Sequence, residues 1–294
     1  MGIPIRDYGT TGLRVPALGY GAERIGDPAL DESFVGKFLN ELLDLGVTLI
    51  DTARSYGLSE ERIGRHISHR RHEFVLSTKV GYGVEGVPDW TYDAVVMGVE
   101  QALKRLNTDY IDIVHLHSCF QDTLERGEVI EALYKTVQDG KVRVAAYSGE
   151  NEPLEWALRS ARFQGLMFSV NVFDQRAIRR VLWPAKEKGT GIIAKRPMGN
   201  APWMYKECPE GFYCAEYWHR MKAMGLDFAY DWPELALRFA CFTYGVDSCV
   251  VGTLNMEHVK KNIQYISRGV LNEDTVNYIR DAFTRADRDW RGVV

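Results

Sequence analysis

Phe74-Val75-Leu76-Ser77-Thr78-Lys79 and Tyr110-Ile111-Asp112-Ile113-Val114-His115-Leu116-His117 decide the fold class, together with what separates them. Both are apolar runs of strand length. The segment 94–106 between them repeats apolar residues at three- and four-residue steps, which marks one face of a helix. Working outward, short apolar runs recur at 17–20, 47–51, 142–147, 166–170, 190–195 and 248–251. Helical spacing recurs between them, as in Phe34, Phe38, Leu42 and Leu45, and again over 129–137, 154–161 and 177–186. Eight strands, each followed by a helix, with both sheet faces covered, predict an α/β protein: a (β/α)₈ barrel. A doubly wound sheet is the competitor. Gly19-Tyr20-Gly21-Ala22 after the first strand lacks the G-x-G-x-x-G spacing of a dinucleotide fold of that kind, which favours the barrel. No Ser/Gly-rich linker divides the chain, so residues 1–294 are expected to form a single domain, with the site at the strand C-termini.

Hydrophobic residues make up 46% and charged residues 26% of the chain, with a net charge of −4. No basic stripe calls for nucleic acid, and no stretch approaches the ~18 apolar residues of a membrane span. Met1 leads into Ile5-Arg6-Asp7 without an apolar run, so no signal peptide is expected. Five cysteines, without a C-x-x-C pair and odd in number, suggest reduced thiols and a cytoplasmic setting. Cys119 sits two residues past His117, where a small apolar filler is a better reading than a reactive thiol. His66, His69 and His72 are spaced three apart in the basic stretch 62–71. That spacing does not close a metal tetrahedron, and a solvated helix end is expected there; no metal site is predicted.

Two connections are long enough to cover a pocket. The first, 81–92, offers Tyr82 and Trp90. The second, between Pro197 and Trp232, carries Trp203, Tyr205, Phe212, Tyr213, Tyr217, Trp218, Phe228 and Tyr230, and 213–224 is expected to form a short helix within it. Each aromatic could meet a ligand or merely pack the loop. Trp90, Phe120 and Trp203 are the foremost ligand candidates because they follow closely on strands. The tail beyond Trp290 is short and is expected to cover little.

Asp51 closes the strand Val47-Thr48-Leu49-Ile50, Tyr56 follows five residues later, and Lys79 and His117 close the two runs quoted above. A carboxylate, a phenol, an ammonium and an imidazole can together make a tuned proton donor. A free tyrosine, with a pKa of roughly 10, exchanges protons poorly at neutral pH. A nearby ammonium favours the phenolate and a carboxylate holds that ammonium. Each residue alone has an ordinary reading: Asp51 as a cap, Lys79 as a snorkelling strand end, His117 as a satisfied buried imidazole. His115 points to the same face as His117 by strand alternation.

These four residues, with Tyr8-Gly9-Thr10-Thr11-Gly12-Leu13-Arg14-Val15-Pro16, Gly140-Lys141-Val142-Arg143, Ala194-Lys195-Arg196-Pro197-Met198 and Val251-Gly252-Thr253, make the chain resemble the aldo-keto reductases over nearly its whole length. The resemblance implies an opening β-hairpin before the barrel, long substrate-covering loops, and an NAD(P)-dependent oxidoreductase interconverting an aldehyde, ketone or sugar carbonyl and its alcohol. It carries the catalytic tetrad onto Asp51, Tyr56, Lys79 and His117, and leaves His115 to the core or to a supporting role. It implies that Tyr82, Trp90, Phe120 and Trp203 line the substrate pocket.

For the cofactor the resemblance implies contacts from Gly21, Ala22, Ser148, Gly149, Met167, Lys195, Arg196, Pro197, Met198, Gly199, Gly252, Thr253, Asn255, His258, Lys261 and Asn262. Departures are visible. Gly149 and Met167 stand where relatives place Asn and Gln around the nicotinamide amide, and Lys195 or Arg196 replaces an aromatic. Gly252 and His258 stand where NADPH-preferring relatives carry a lysine and an arginine for the 2′-phosphate; Lys260 or Lys261 could reach round to help. The family favours NADP, and these substitutions favour weak discrimination from NAD. A regulatory or sensor subunit that keeps the barrel and nucleotide, as ion-channel-associated relatives do, is the alternative. The oligomeric state is not legible.

Overall fold

The computed structural model describes residues 2–226 and 231–294. Phe228 and Tyr230 of the long connection lie outside the described residues. The chain opens with an antiparallel hairpin, β1 (Ile5–Asp7) and β2 (Arg14–Pro16). Strand and helix then alternate: β3 (Leu18–Gly21), α1 (Glu32–Asp44), β4 (Leu49–Asp51), α2 (Ser59–Ile67), β5 (Val75–Val80), α3 (Tyr92–Leu106) and β6 (Ile111–His117). After α4 (Gln121–Arg126) and α5 (Glu128–Gln138) come β7 (Val142–Ser148), α6 (Asn151–Ser160), β8 (Gly165–Ser169), α7 (Trp183–Glu187) and β9 (Gly191–Lys195). The long connection holds α8 (Ala215–Met224), and α9 (Trp232–Phe242), β10 (Ser248–Val251), α10 (Met256–Ser267) and α11 (Glu273–Ala286) complete the chain. Strands β3 to β10 are parallel neighbours in sequence order, and β10 pairs with β3 to close the barrel. This is the expected (β/α)₈ architecture with its hairpin.

Local chemistry explains where the helices begin and end. Asp31 accepts from Phe34 N to cap α1, and Thr91 accepts from Ala94 N to cap α3. Such caps are worth about 1 kcal/mol each, and the second draws α3 back to Tyr92 from the expected residue 94. The helix expected over 177–186 is not a single α-helix. Residues Ile178–Leu182 form a π turn, in which Trp183 N donates to Ile178 O, before α7 begins. Pro184 has no N–H and its ring crowds the preceding turn, which is the physical cause of the break.

The barrel floor is sealed by the hairpin. Tyr8 is fully buried in a cluster with Val15, Leu49, Ile113, Val144, Ala146, Met167, Ile193 and Val250. A Cβ on Gly165 or Gly191 would lie 2.2 or 2.6 Å from Tyr8 atoms, so the plug needs bare backbone there. Each fully buried apolar side chain of this kind contributes roughly 1.5–3 kcal/mol. The basic stretch differs from expectation at Arg62, which is 2% exposed rather than solvated. Its guanidinium donates to Ile25 O, Asp27 O and Leu30 O and pairs with Glu32 at 2.8 Å. A guanidinium is buried here because its donors meet loop carbonyls and a carboxylate, and it pins the loop ahead of α1.

Candidate active site

Alternation along the strands builds the site. Leu49, Val75, Ile113, Val144, Met167 and Ile193 belong to the inner cluster or pack against it. The residues two and four positions further on, Asp51, Ser77, Lys79, His115, His117, Ser148, Ser169 and Lys195, therefore also face inward, towards the C-terminal mouth. Parallel register sets Ser77 beside Ile113 and Lys79 beside His115.

Asp51 and Lys79 are 3% and 2% exposed. Lys79 Nζ donates to Asp51 Oδ2 at 2.6 Å and to Thr52 O at 2.8 Å. The other carboxylate oxygen accepts from Ser77 Oγ at 2.8 Å. Ser77 has spent its hydrogen there, so His115 Nε2, 3.2 Å from the same oxygen, is the donor to Ser77. Lys79 Nζ lies 4.9 Å from the centroid of the Tyr56 ring. Tyr56 stands on the turn between β4 and α2, against Gly26, where an added Cβ would fall 1.7 Å from Tyr56 O. A larger residue at 26 would push the phenol out of place. The Tyr56 and His117 rings meet edge to face at 6.2 Å. Tyr82 stacks on His117 with centroids 5.4 Å apart, its oxygen 2.9 Å from His117 Nδ1, and donates to Ser55 Oγ at 3.1 Å.

The electrostatics differ in one respect from the sequence reading. Lys79 is the largest influence on Tyr56 and does lower its pKa, but burial and the carboxylates of Asp51 and Glu23 outweigh it, leaving the phenol above its ordinary value. Burial lowers the pKa of Lys79 while Asp51 and Tyr56 raise it, and the net direction is up, so the ammonium stays charged. Burial, with Lys79 and Lys195 nearby, pulls His117 down to about 3, and the same forces hold His115 well below its usual range. Both imidazoles are neutral at pH 7. The Cys119 thiol is buried and raised to about 12, consistent with an inert filler. All five cysteines are free.

The expected cofactor residues gather at the ends of β7 to β10 and around to β3. Ser148 Oγ is buried with no hydrogen-bond partner among the described residues. Gly149 stands against Tyr147, and a Cβ there would lie 2.4 Å from the phenol oxygen. Met167 is buried, paired in register with Ser148. Lys195 Nζ pairs with Glu150 at 3.3 Å. Arg196, at φ +52°, donates to Val293 O and stacks on Tyr213, and Pro197, Met198 and Gly199 continue the turn. Gly21, followed by Ala22, approaches Gly252 closely, with backbone bare on both sides. Asn255 caps α10 by accepting from Glu257 N, and Thr253 Oγ1 accepts from Asn255 N and lies 3.4 Å from His258 Nδ1. Asn262 is buried, and Lys261 is exposed. Lys260 is paired with Glu41 and Glu257 at the surface.

Of the substrate candidates, Tyr82 and Trp90 come together beside His117, their rings 5.5 Å apart, with Trp90 also covering Gly81. Phe120 is 73% exposed at the head of α4. Trp203 stacks on Trp232 at 5.6 Å and packs against the core. In the same long connection Cys208 Sγ lies 3.3 Å from His219 Nε2, with Glu210 nearby. The tail does more than its length suggested. Gly292 exchanges two hydrogen bonds with Asn151, Val293 N donates to Asp174, and Arg220 donates to Arg291 O. Backbone groups on a short tail need only polar partners at the barrel rim, and Asn151, Asp174, Arg196 and Arg220 supply them.

Residues 17–283 match the model of the aldo/keto reductase family. The chain belongs to this family. It is 25% identical to L-galactose dehydrogenase of Arabidopsis thaliana over 90% of this chain and 88% of that protein. It is 27% identical to D-threo-aldose 1-dehydrogenase of a Pseudomonas species over 86% and 90%. The holo form of aldo-keto reductase AKR11C1 from Bacillus halodurans superposes with a TM-score of 0.83 at 26% identity, covering 95% of this chain and 96% of that one. As a member, the chain is an NAD(P)H-dependent oxidoreductase. Among the described residues, no helix is long and apolar enough to cross a membrane.

Ser77, bonded to Asp51, and Glu150, paired with Lys195, are side chains at the mouth that the sequence reading left out. Ser77 carried a usable signal, lying two residues before Lys79 on the same strand face. Glu150 carried none, because its partner Lys195 lies on the strand two places along.

Proposed function

We propose that this chain, acting as one domain, interconverts a small aldehyde, ketone or sugar carbonyl and its alcohol, with Tyr56 as general acid and base. The observation that carries this reading is the Asp51–Lys79 pair set under Tyr56, with His117 at its edge. A bound nicotinamide supplies or takes up the hydride at the carbonyl carbon. Tyr56, protonated at neutral pH because its pKa is raised, holds the proton for the carbonyl oxygen in reduction and receives it in oxidation. Lys79 offsets part of the cost of ionising it, and Asp51, held by Ser77, fixes Lys79. Neutral His117 orients the carbonyl by donating from Nε2, which requires the Tyr82 hydroxyl to turn from Ser55 to His117 Nδ1. Tyr82, Trp90, Phe120 and Trp203 are the proposed pocket walls.

The residues suit a nicotinamide dinucleotide: an orphaned serine hydroxyl at the mouth, bare glycine backbone between β3 and β10, and a capped helix start at Asn255. Both NADP(H) and NAD(H) are proposed to serve. The two sugar dehydrogenases among the relatives support sugars as substrates, in the oxidising direction. The test is a screen of aldehydes, ketones and sugars with reduced and oxidised cofactors. Consumption of nicotinamide fluorescence on adding a small aldehyde, or its appearance with a sugar, is expected. A bound cofactor that no carbonyl or alcohol turns over would instead favour a sensor subunit.

A further inference from the structure

The long connection between β9 and α9 brings together three side chains of metal-ligating type, none of which belongs to the tetrad. Cys208 and Glu210 stand on the loop ahead of α8, and His219 stands on α8 itself. Cys208 Sγ lies 3.3 Å from His219 Nε2, and a Glu210 carboxylate oxygen lies 4.0 Å from the same nitrogen. The three ligand atoms fall within 4.8 Å of one another, and among the described residues no other three His, Cys, Asp or Glu side chains do so. Local structure aims them. Pro209 has a fixed φ, and Glu210 N donates to Cys208 O at 2.9 Å, closing a three-residue turn that carries both side chains. Trp218 Nε1 donates to Tyr205 O at 3.0 Å and its ring meets His219 edge to face at 5.4 Å. The loop is thereby anchored to α8 next to the imidazole.

One ring nitrogen thus faces both a thiol and a carboxylate. A proton on Nε2 can serve only one of them, and its bare lone pair serves only the thiol. A divalent cation set between the three answers all of them at once. Zinc bonds of roughly 2.3 Å to sulfur and roughly 2.0–2.1 Å to nitrogen, at a tetrahedral angle, put the two ligand atoms roughly 3.6 Å apart. The structure holds them at 3.3 Å. The same geometry puts nitrogen and carboxylate oxygen roughly 3.4 Å apart, and the Glu210 side chain, 80% exposed, is free to close that gap from 4.0 Å. We propose that Cys208, Glu210 and His219 form a site for a zinc-class divalent cation, with water as the fourth ligand. The thiol gives its proton to solvent as the sulfur–metal bond forms, with no change of oxidation state. Thiolate and imidazole select a borderline-soft ion, whereas Mg²⁺ and Ca²⁺ want oxygen ligands and find a single carboxylate here. The ion clamps the loop to α8, and with it Tyr213, whose ring lies under the Arg196 guanidinium just past β9.

Metal titration of the full chain, first stripped with a chelator that is then removed, tests this. Zn²⁺ is followed by calorimetry and Co²⁺ by absorption. One equivalent of either should bind, with Co²⁺ showing a near-ultraviolet thiolate-to-metal charge-transfer band and the visible bands of a tetrahedral ion, while Mg²⁺ and Ca²⁺ should not compete. Cys208→Ser should abolish the charge-transfer band. Cys208→Ser and His219→Ala should each weaken Zn²⁺ by about tenfold or more, and Glu210→Gln by about threefold or more. A second measurement needs no variant. Cys119, Cys214, Cys241 and Cys249 are buried, which leaves Cys208 as the thiol open to alkylation in the folded protein. Zn²⁺ should slow that alkylation by about tenfold or more, and Mg²⁺ should leave it unchanged. If Cys208→Ser and His219→Ala both keep Zn²⁺ affinity within about twofold of wild type, the protein carries an adventitious ion only and the site is overturned. Alkylation that Zn²⁺ does not slow, or a wild type that binds no Zn²⁺, overturns it equally.

Discussion

At the ends of β4, β5 and β6, polar groups already answer one another: Lys79 to Asp51, Asp51 to Ser77, Ser77 to His115. At the ends of β7 and β9, a few strands round the same mouth, Ser148 Oγ is buried without a hydrogen-bond partner among the described residues, and Lys195 pairs with Glu150. In the first region the two charges are paired and hydrogen-bonded without a ligand, as the proposed catalysis by preorganised groups requires, because any reorganisation would add to the barrier. The second, the proposed cofactor side, keeps the Ser148 hydroxyl unspent, and a group saturated by the protein would have nothing left to offer a ligand. The family resemblance follows the same division, with the tetrad matched at each position and the cofactor side altered at Gly149, Met167 and Lys195.

The largest effect should come from the completed side. Tyr56→Phe removes one oxygen that acts in proton transfer, a step typically worth ~10² to 10⁴ in rate. Turnover should collapse with dinucleotide affinity nearly intact, and a variant retaining more than about a tenth of wild-type kcat would place the acid elsewhere. Lys79→Met should also inactivate. With the downward pull of the ammonium gone, burial and Asp51 act on Tyr56 unopposed, so the basic limb of the residual pH–rate profile should move to higher pH. An unmoved limb would mean that Lys79 does not tune the phenol.

Cofactor choice probes the unfinished side. Without an arginine at His258, and with Lys260 engaged by Glu41 and Glu257, exposed Lys261 is the remaining basic candidate of that segment for a 2′-phosphate. NADP(H) should be used with a preference over NAD(H) below about a hundredfold, or roughly 2.7 kcal/mol. A thousandfold preference in kcat/KM would mean that another cation grips the phosphate, with Lys261→Ala the variant to make first.

Two serines sharpen the contrast by stability alone. Ser77→Ala leaves Asp51 short of a donor and should cost about 1–3 kcal/mol. Ser148→Ala removes a hydroxyl with no hydrogen-bond partner among the described residues and should be close to neutral in denaturant unfolding, while weakening dinucleotide binding. Equal losses of stability would erase the distinction between the two sides. The smallest effect concerns the tail. Burial and Glu150 raise the Asp174 pKa to about 7. A raised carboxyl means that the folded state binds the extra proton, so this contribution is full below the ordinary carboxylate pKa and is lost as pH rises through about 7. Asp174→Asn should flatten that part of the fall in Tm between about pH 4 and 7, by an amount of order 2–4 °C if about 1 kcal/mol is involved. An unchanged profile would show that Asp174 does not titrate there.

Strand and helix periodicity made the barrel legible, because the two repeats are local properties of the chain and a parallel sheet covered on both faces admits few architectures. The tetrad was legible for a related reason: each member closes or follows a strand, and parallel strands deliver their C-terminal ends to one mouth. Only the tertiary structure decided the rest. The π turn before Pro184 and the burial of Arg62 depend on which carbonyls come within reach. The raised phenol of Tyr56 depends on how burial and two carboxylates balance one ammonium. The pairing of Glu150 with Lys195, and the seating of Gly292 over it, join residues 45 and 142 positions apart in sequence. Alternation tells which way a side chain faces. What it meets there is a matter of distance and desolvation, which exist only once the barrel has closed.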